Sequence, residues 1–244
     1  MILLRVAHCG SSDSMNKLPL LAVLGTFALV LVSSCGFGSR RRPPALGGSS
    51  PVPPAQIQSA PRITAALIAK GRFARHRIRS MNPRYITIHS TQNSDPGTDA
   101  RAHANLLRRG AIKGEKNSLG YISWHYTVDD HSIYQSLPDN EQGQHADYEG
   151  KGNRQSIGIE MCENRDGNLA ATIDRAARLT AYLMKKHDIP LRRVVPHQHW
   201  PRTRYADGRD LGRKNCPHFL LSNGKPGPKW RAFLGQVRRY RARY

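Results

Sequence analysis

The chain has little cysteine, little acid and no long apolar run. Cys9 and Cys35 lie in the N-terminal segment, so the folded part holds only Cys162 and Cys216. In an oxidising compartment these two can form one disulfide, but both thiols are expected to be free or metal-bound, the metal role falling to Cys216. The one apolar stretch near the start, Leu20 to Val32, is too short for a comfortable membrane span, although a single anchoring helix is the alternative reading. Acidic residues number 17 against 38 Lys and Arg, for a net charge of +21. Such an imbalance points to an anionic polymer as partner. No aromatic-basic motif accompanies it, which argues against nucleic acid. No internal repeat is visible.

What is present begins with an address. Met15-Asn16-Lys17 is a short positive start, Leu20–Val32 an apolar core, and Ser33-Ser34-Cys35 a small-residue cleavage site. The pattern is that of a secretory signal. With a cysteine at the cut it resembles a bacterial lipoprotein signal, with Met15 as the true start and Cys35 as the lipidated residue. Three regions are therefore expected. Residues 1–34 form the signal peptide. Residues 35–61 form a Pro/Gly/Ser/Arg tether, which carries Pro43-Pro44 and Pro51-Val52-Pro53-Pro54. Residues 62–244 form the folded domain. The expected location is the cell envelope, by lipid anchor on a bacterial membrane, the outer membrane facing the periplasm being one such setting. In that location an anionic wall polymer or lipid headgroup fits the positive charge better than nucleic acid does.

Strand and helix signals alternate through the folded part, predicting a single α/β domain with a central mixed β-sheet flanked by helices. Strands are predicted at Tyr85–His89, Tyr121–Val128, Ser132–Leu137, Ser156–Cys162 and Arg192–Val195, with a hairpin turn at Asp129-Asp130. Helices are predicted at Asp99–Arg109, stopped by Gly110, along the stripe Ile173, Ala176, Ala177, Thr180, Leu183 and Met184, and along Trp230, Phe233, Leu234 and Val237. The last of these should dock on the core.

Three residues far apart in sequence are of zinc-ligand type: His89, His197 and Cys216. Two imidazoles and a thiolate leave a fourth tetrahedral position open, which suits a catalytic rather than a structural Zn²⁺. Period-two alternation places Thr87 and His89 on one face of their strand, and Gly158, Glu160 and Cys162 on one face of theirs. If the isoleucine faces pack on helices, His89 and Glu160 look into one cleft. His199 is expected to support the ring of His197, and His125 and His145 to pack or touch substrate. His76 and His187 are expected on the surface.

Five segments in order carry a resemblance. They are Ile88-His89-Ser90-Thr91, Ser123–Asp130 with Trp124-His125-Tyr126, Asn153–Glu160, Val195-Pro196-His197 and Lys214-Asn215-Cys216-Pro217. Together they resemble N-acetylmuramoyl-L-alanine amidase family 2, which includes phage lysozyme-type amidases and peptidoglycan recognition proteins. The resemblance runs from about His89 to Leu220. It implies zinc in a surface groove held by His89, His197 and Cys216, with Glu160 as acid/base and Lys214 stabilising an oxyanion. Some relatives have tyrosine where Trp124 stands, and many have Asp as third ligand. The implied activity is cleavage of the amide between N-acetylmuramic acid and L-alanine of peptidoglycan or a muropeptide. Two other readings use the same scaffold: an inactive peptidoglycan-binding module, and a zinc peptidase cutting within the stem peptide. Pro201–Arg213, with four arginines, is expected to form a basic lip on the groove.

Overall fold

The computed structural model describes residues 59–114, 120–204 and 206–244. The signal segment, Cys35 and most of the tether lie outside the described residues. The strand β2 (Tyr85–Ser90) explains the layout. Its isoleucines, Ile86 and Ile88, are fully buried on one face, and Thr87 and His89 lie on the other. Around it forms a six-stranded sheet with β1 (Thr64–Ala65), β3 (Tyr126–Val128), β4 (Ile133–Gln135), β5 (Ser156–Met161) and β6 (Val194–Pro196), in the order β1-β4-β3-β5-β2-β6. Only the β3/β4 pair is antiparallel. The β1/β4, β3/β5, β5/β2 and β2/β6 pairs are parallel. The sheet is mixed and flanked by helices, as the sequence pattern predicts.

Helices α1 (Ala100–Arg108), α2 (Lys151–Arg154), α3 (Leu169–Lys186) and α4 (Pro228–Arg241) complete the fold. Side chains cap two of them: Asp99 accepts from the Ala102 amide at 2.7 Å and Asn168 from the Ala171 amide at 3.0 Å. Gly110, at φ +63°, ends the first helical segment in the left-handed region that glycine tolerates. The apolar stripe of α3 joins Ile86, Ile88, Ile157, Ile159 and Met161 in the main core, together with Trp230, Phe233 and Val237 of α4. Helix α4 therefore docks as expected, and the opposite face of β2 and β5 is left for the site.

One predicted element needs correction. The run Tyr121–Val128 is not one strand. Tyr121 pairs with Lys113, Ser123 bridges to Gln144, and Trp124 buries itself in a second small core with Ile68, Leu107 and Leu137, so only Tyr126–Val128 joins the sheet. The hairpin turn is as expected. Asp129 accepts the amides of His131 and Ser132 and, from outside the turn, that of Ala100 at 3.0 Å, tying the turn to α1.

His187 is also not a free surface residue. Its Nε2 lies 2.7 Å from Asp139 Oδ2, an atom that also takes Lys186 Nζ at 2.8 Å, while Tyr126 donates to Oδ1. Burial opposes charge on Asp139, but the bonds from His187, Lys186 and Tyr126 outweigh it and hold the carboxyl well below the usual range. A carboxyl so depressed stabilises the fold above its unfolded value near about 4, and that contribution fades as pH falls toward the folded value. Asp139→Ala is expected to cost about 2 kcal/mol at pH 7. In urea unfolding, the gap from the parent should shrink below about pH 4; a gap independent of pH would refute this account.

Candidate active site

The site forms where parallel strands end, the usual place for a ligand crevice in such sheets. His89 stands opposite Glu160 in the β2/β5 register, so the alternation argument is correct in detail. His197 follows β6 at once, in a short 3-10 turn (His197–His199). The chain then runs out and back as an exposed two-stranded hairpin, Pro201–Thr203 against Asp210–Arg213. Because Arg213 pairs with Pro201, the long excursion returns to its starting point. Lys214 and Cys216 thus arrive beside His197, where Gln198 N donates to the Cys216 carbonyl at 3.0 Å. In the hairpin, Arg202 and Arg213 bond the carbonyls of Leu211 and His199, and Arg204 pairs with Asp207.

The expected groups meet. His89 Nδ1 lies 2.9 Å from His197 Nδ1 and 3.8 Å from Glu160 Oε1. The donor atoms of His89, His197 and Cys216 all fall within 4.8 Å of one another, and all three residues are buried. Cys216 Sγ accepts from Ser90 N at 3.3 Å. The residues make a possible metal site. Cys162 and Cys216 are both free thiols rather than a disulfide, with Cys162 Sγ 3.9 Å from His103 Nδ1.

The electrostatics follow from burial. Desolvation first, then the mutual proximity of His197, His145 and Lys214, lower the pKa of His89 well below its ordinary value. His197 is lowered to about 3, chiefly by burial and then by Lys214. Burial pushes the Cys216 thiol up to about 12, with the Glu160 charge adding. Glu160 is raised to about 7 by burial, against the pull of Lys214 and with a smaller push from Glu163. Its Oε2 is buried without a hydrogen-bond partner. Neutral imidazoles and a thiol that only a cation would ionise are the donor chemistry a zinc ion satisfies, with the unpartnered carboxylate oxygen beside them. A cavity of about 270 Å³ opens over these groups, lined by His89, Glu160, His197, Lys214, His145 and Tyr148 among others.

The remaining histidines separate. His145 lies inside the site, its Nδ1 3.0 Å from His89 Nε2. His125 serves the scaffold, accepting from Gly158 N at 3.0 Å and bonding the Glu141 carbonyl at 2.8 Å. His199 packs edge-on against Trp200. Asn153, quoted in sequence only as part of a motif, has a defined role here. Its Oδ1 accepts the amides of His145 and Ala146, and its Nδ2 donates to Gln144 Oε1 and the Tyr148 carbonyl. Spacing held no sign of this, because the loop it clamps has no periodic pattern.

With this geometry established, comparison with known proteins is informative. The family model described as N-acetylmuramoyl-L-alanine amidase (Amidase_2) matches residues 79–219. The N-acetylmuramoyl-L-alanine amidase CwlH of Bacillus subtilis (strain 168) is 42% identical over 160 residues, 65% of this chain and 54% of CwlH. XlyA of the same organism, also an N-acetylmuramoyl-L-alanine amidase, is 47% identical over 143 residues, 58% of this chain and 42% of XlyA. The chain thus spans about half the length of the curated relatives it matches. The solved catalytic domain of XlyA matches with a TM-score of 0.58 at 41% identity, covering 72% of this chain and 99% of that one.

Proposed function

This chain belongs to the N-acetylmuramoyl-L-alanine amidase family, and on that premise we propose that it hydrolyses the amide between N-acetylmuramic acid and L-alanine, using a zinc ion held by His89, His197 and Cys216. The observation that carries the reading is the convergence of these three donors with Glu160 and Lys214. The His89 and His197 nitrogens, 2.9 Å apart, lie close to the roughly 3.3 Å separation expected of two imidazoles on a tetrahedral ion.

When bound, zinc supplies Lewis-acid chemistry, polarising a carbonyl and acidifying water. Glu160 Oε1 takes the proton of the attacking water and returns it to the leaving amine nitrogen of L-alanine. Lys214, set by the returning hairpin, lines the cavity, where its positive charge offsets charge growing on the carbonyl oxygen. The half-buried setting strengthens both interactions relative to open water.

Cys35 is proposed as a lipid attachment site, with residues 35–61 as a tether and 62–244 as the catalytic domain. The cysteine at the cleavage site and the Pro-rich composition support this arrangement. No helix among the described residues is long and apolar enough to cross a membrane.

Purified protein should release peptides bearing a free N-terminal L-alanine from sacculi, lose that activity to a chelator and regain it with Zn²⁺. His89→Ala should abolish it. Products cut within the stem peptide would replace this reading with a peptidase, and binding without products would replace it with a recognition module.

A further inference from the structure

A neutral imidazole has one N–H donor and one lone-pair acceptor, and a partner that can only accept settles which nitrogen holds the proton. The Ser156 carbonyl is such a partner, 3.3 Å from His145 Nε2. His145 is buried and has no carboxylate partner among the described contacts, so its ring is neutral. With its proton on Nε2, it turns the Nδ1 lone pair toward His89. His89 Nε2, 3.0 Å away, must then donate to it. This leaves the lone pair of His89 on Nδ1, the atom that faces His197 and Glu160.

The seat of His145 is built for this. A Cβ on Gly158 would come within 2.9 Å of its ring, and one on Gly143 within 2.7 Å, so both positions have to lack a side chain. The Asn153 side-chain amide pins the backbone of His145 and of Ala146. The clamped loop thereby fixes the ring that faces His89.

We propose that His145 is a positioning residue that holds the proton of His89 on Nε2 and so presents the Nδ1 lone pair to the metal. The proposal rests on the zinc reading of the preceding section. The relay runs from His89 Nε2–H to His145 Nδ1, and from His145 Nε2–H to the Ser156 carbonyl. Partners of this kind on a metal ligand affect affinity by about 10–100-fold.

Two measurements on the full chain test it. In chelator competition, His145→Leu should bind Zn²⁺ about 10–100-fold more weakly than the parent. His145→Asn, whose Oδ1 can still accept the His89 proton, should recover most of that loss. Gly158→Ala, by pushing the ring, should weaken binding though it adds no ligand. Nitrogen-15 spectra of the metal-free parent should show His89 as the Nε2–H tautomer. Undiminished zinc affinity in His145→Leu, or an Nδ1–H tautomer in the parent, would overturn the relay. A parent that takes up no zinc would overturn the zinc reading instead, and the tautomer would still decide the relay. The same spectra decide it if His145→Leu does not fold.

Discussion

Glu160→Gln is expected to lower turnover of peptidoglycan by roughly 10²–10⁴-fold while leaving zinc uptake intact. Glutamine keeps the size of the side chain but cannot take a proton from water. The position is costly to the fold: the side chain is 12% exposed, and one carboxylate oxygen is buried without a partner. Neutralising it should therefore leave stability unchanged or raise it slightly, the usual trade at a site built for reaction. The pH profile gives a second readout. Burial, with Lys214 opposing and Glu163 adding, puts the carboxyl at about 7 before a metal is present, and a nearby cation lowers it. The base form exists above that value, so the acid limb of the parent's activity should lie at or below about pH 7 and vanish in Glu160→Gln. An unchanged acid limb, or a variant with near-parent turnover, would remove Glu160 from the reaction. Loss of zinc in the variant would mean that it acts as a ligand.

Much of this site is legible in sequence because strands have a fixed period. Alternation alone puts Thr87 and His89 on one side and Ile86 and Ile88 on the other, and likewise Gly158 and Glu160 against Ile157 and Ile159; the isoleucines do join the main core, and His89 and Glu160 line the cavity. Cap and stop residues are equally local, which is why Asp99 and Gly110 bound the first helix where expected. What escapes is whatever depends on irregular backbone. The two-residue β1 is too short for a pattern, and its partner strand lies about 70 residues away. The Tyr121–Val128 run alternates acceptably but is diverted at Trp124 by a second core that only tertiary contact reveals. His145 offers no spacing at all: its acceptor is 11 residues downstream and its donor 56 residues upstream. The return of Cys216 to His197 needs the Pro201–Arg213 hairpin, whose Gly- and Arg-rich sequence lacks a hydrophobic alternation.

Phe233→Ala is the substitution expected to damage the fold most without touching the reacting groups. Phe233 is 1% exposed in the main core, with its ring centroid 5.4 Å from that of Trp230. It packs in the layer where α4 meets α3, so deleting the ring leaves a cavity that rigid helices cannot close, at a cost of about 3–5 kcal/mol. That is a large part of an ordinary domain's stability, and a clear fall in the urea midpoint should follow. Zinc offers an internal control. A ligand that binds only the folded state adds a stability set by its affinity, about 2.7 kcal/mol at a hundred times Kd. Helix α4 also packs against His218–Leu220, two residues beyond Cys216. Cys216 itself is held from the other side, by Ser90 N on its sulfur and Gln198 N on its carbonyl. Its position should therefore survive the loss of the ring, and parent and variant should gain the same increment from zinc. A smaller increment in Phe233→Ala would show that α4, and not the two amides, sets the third ligand in place.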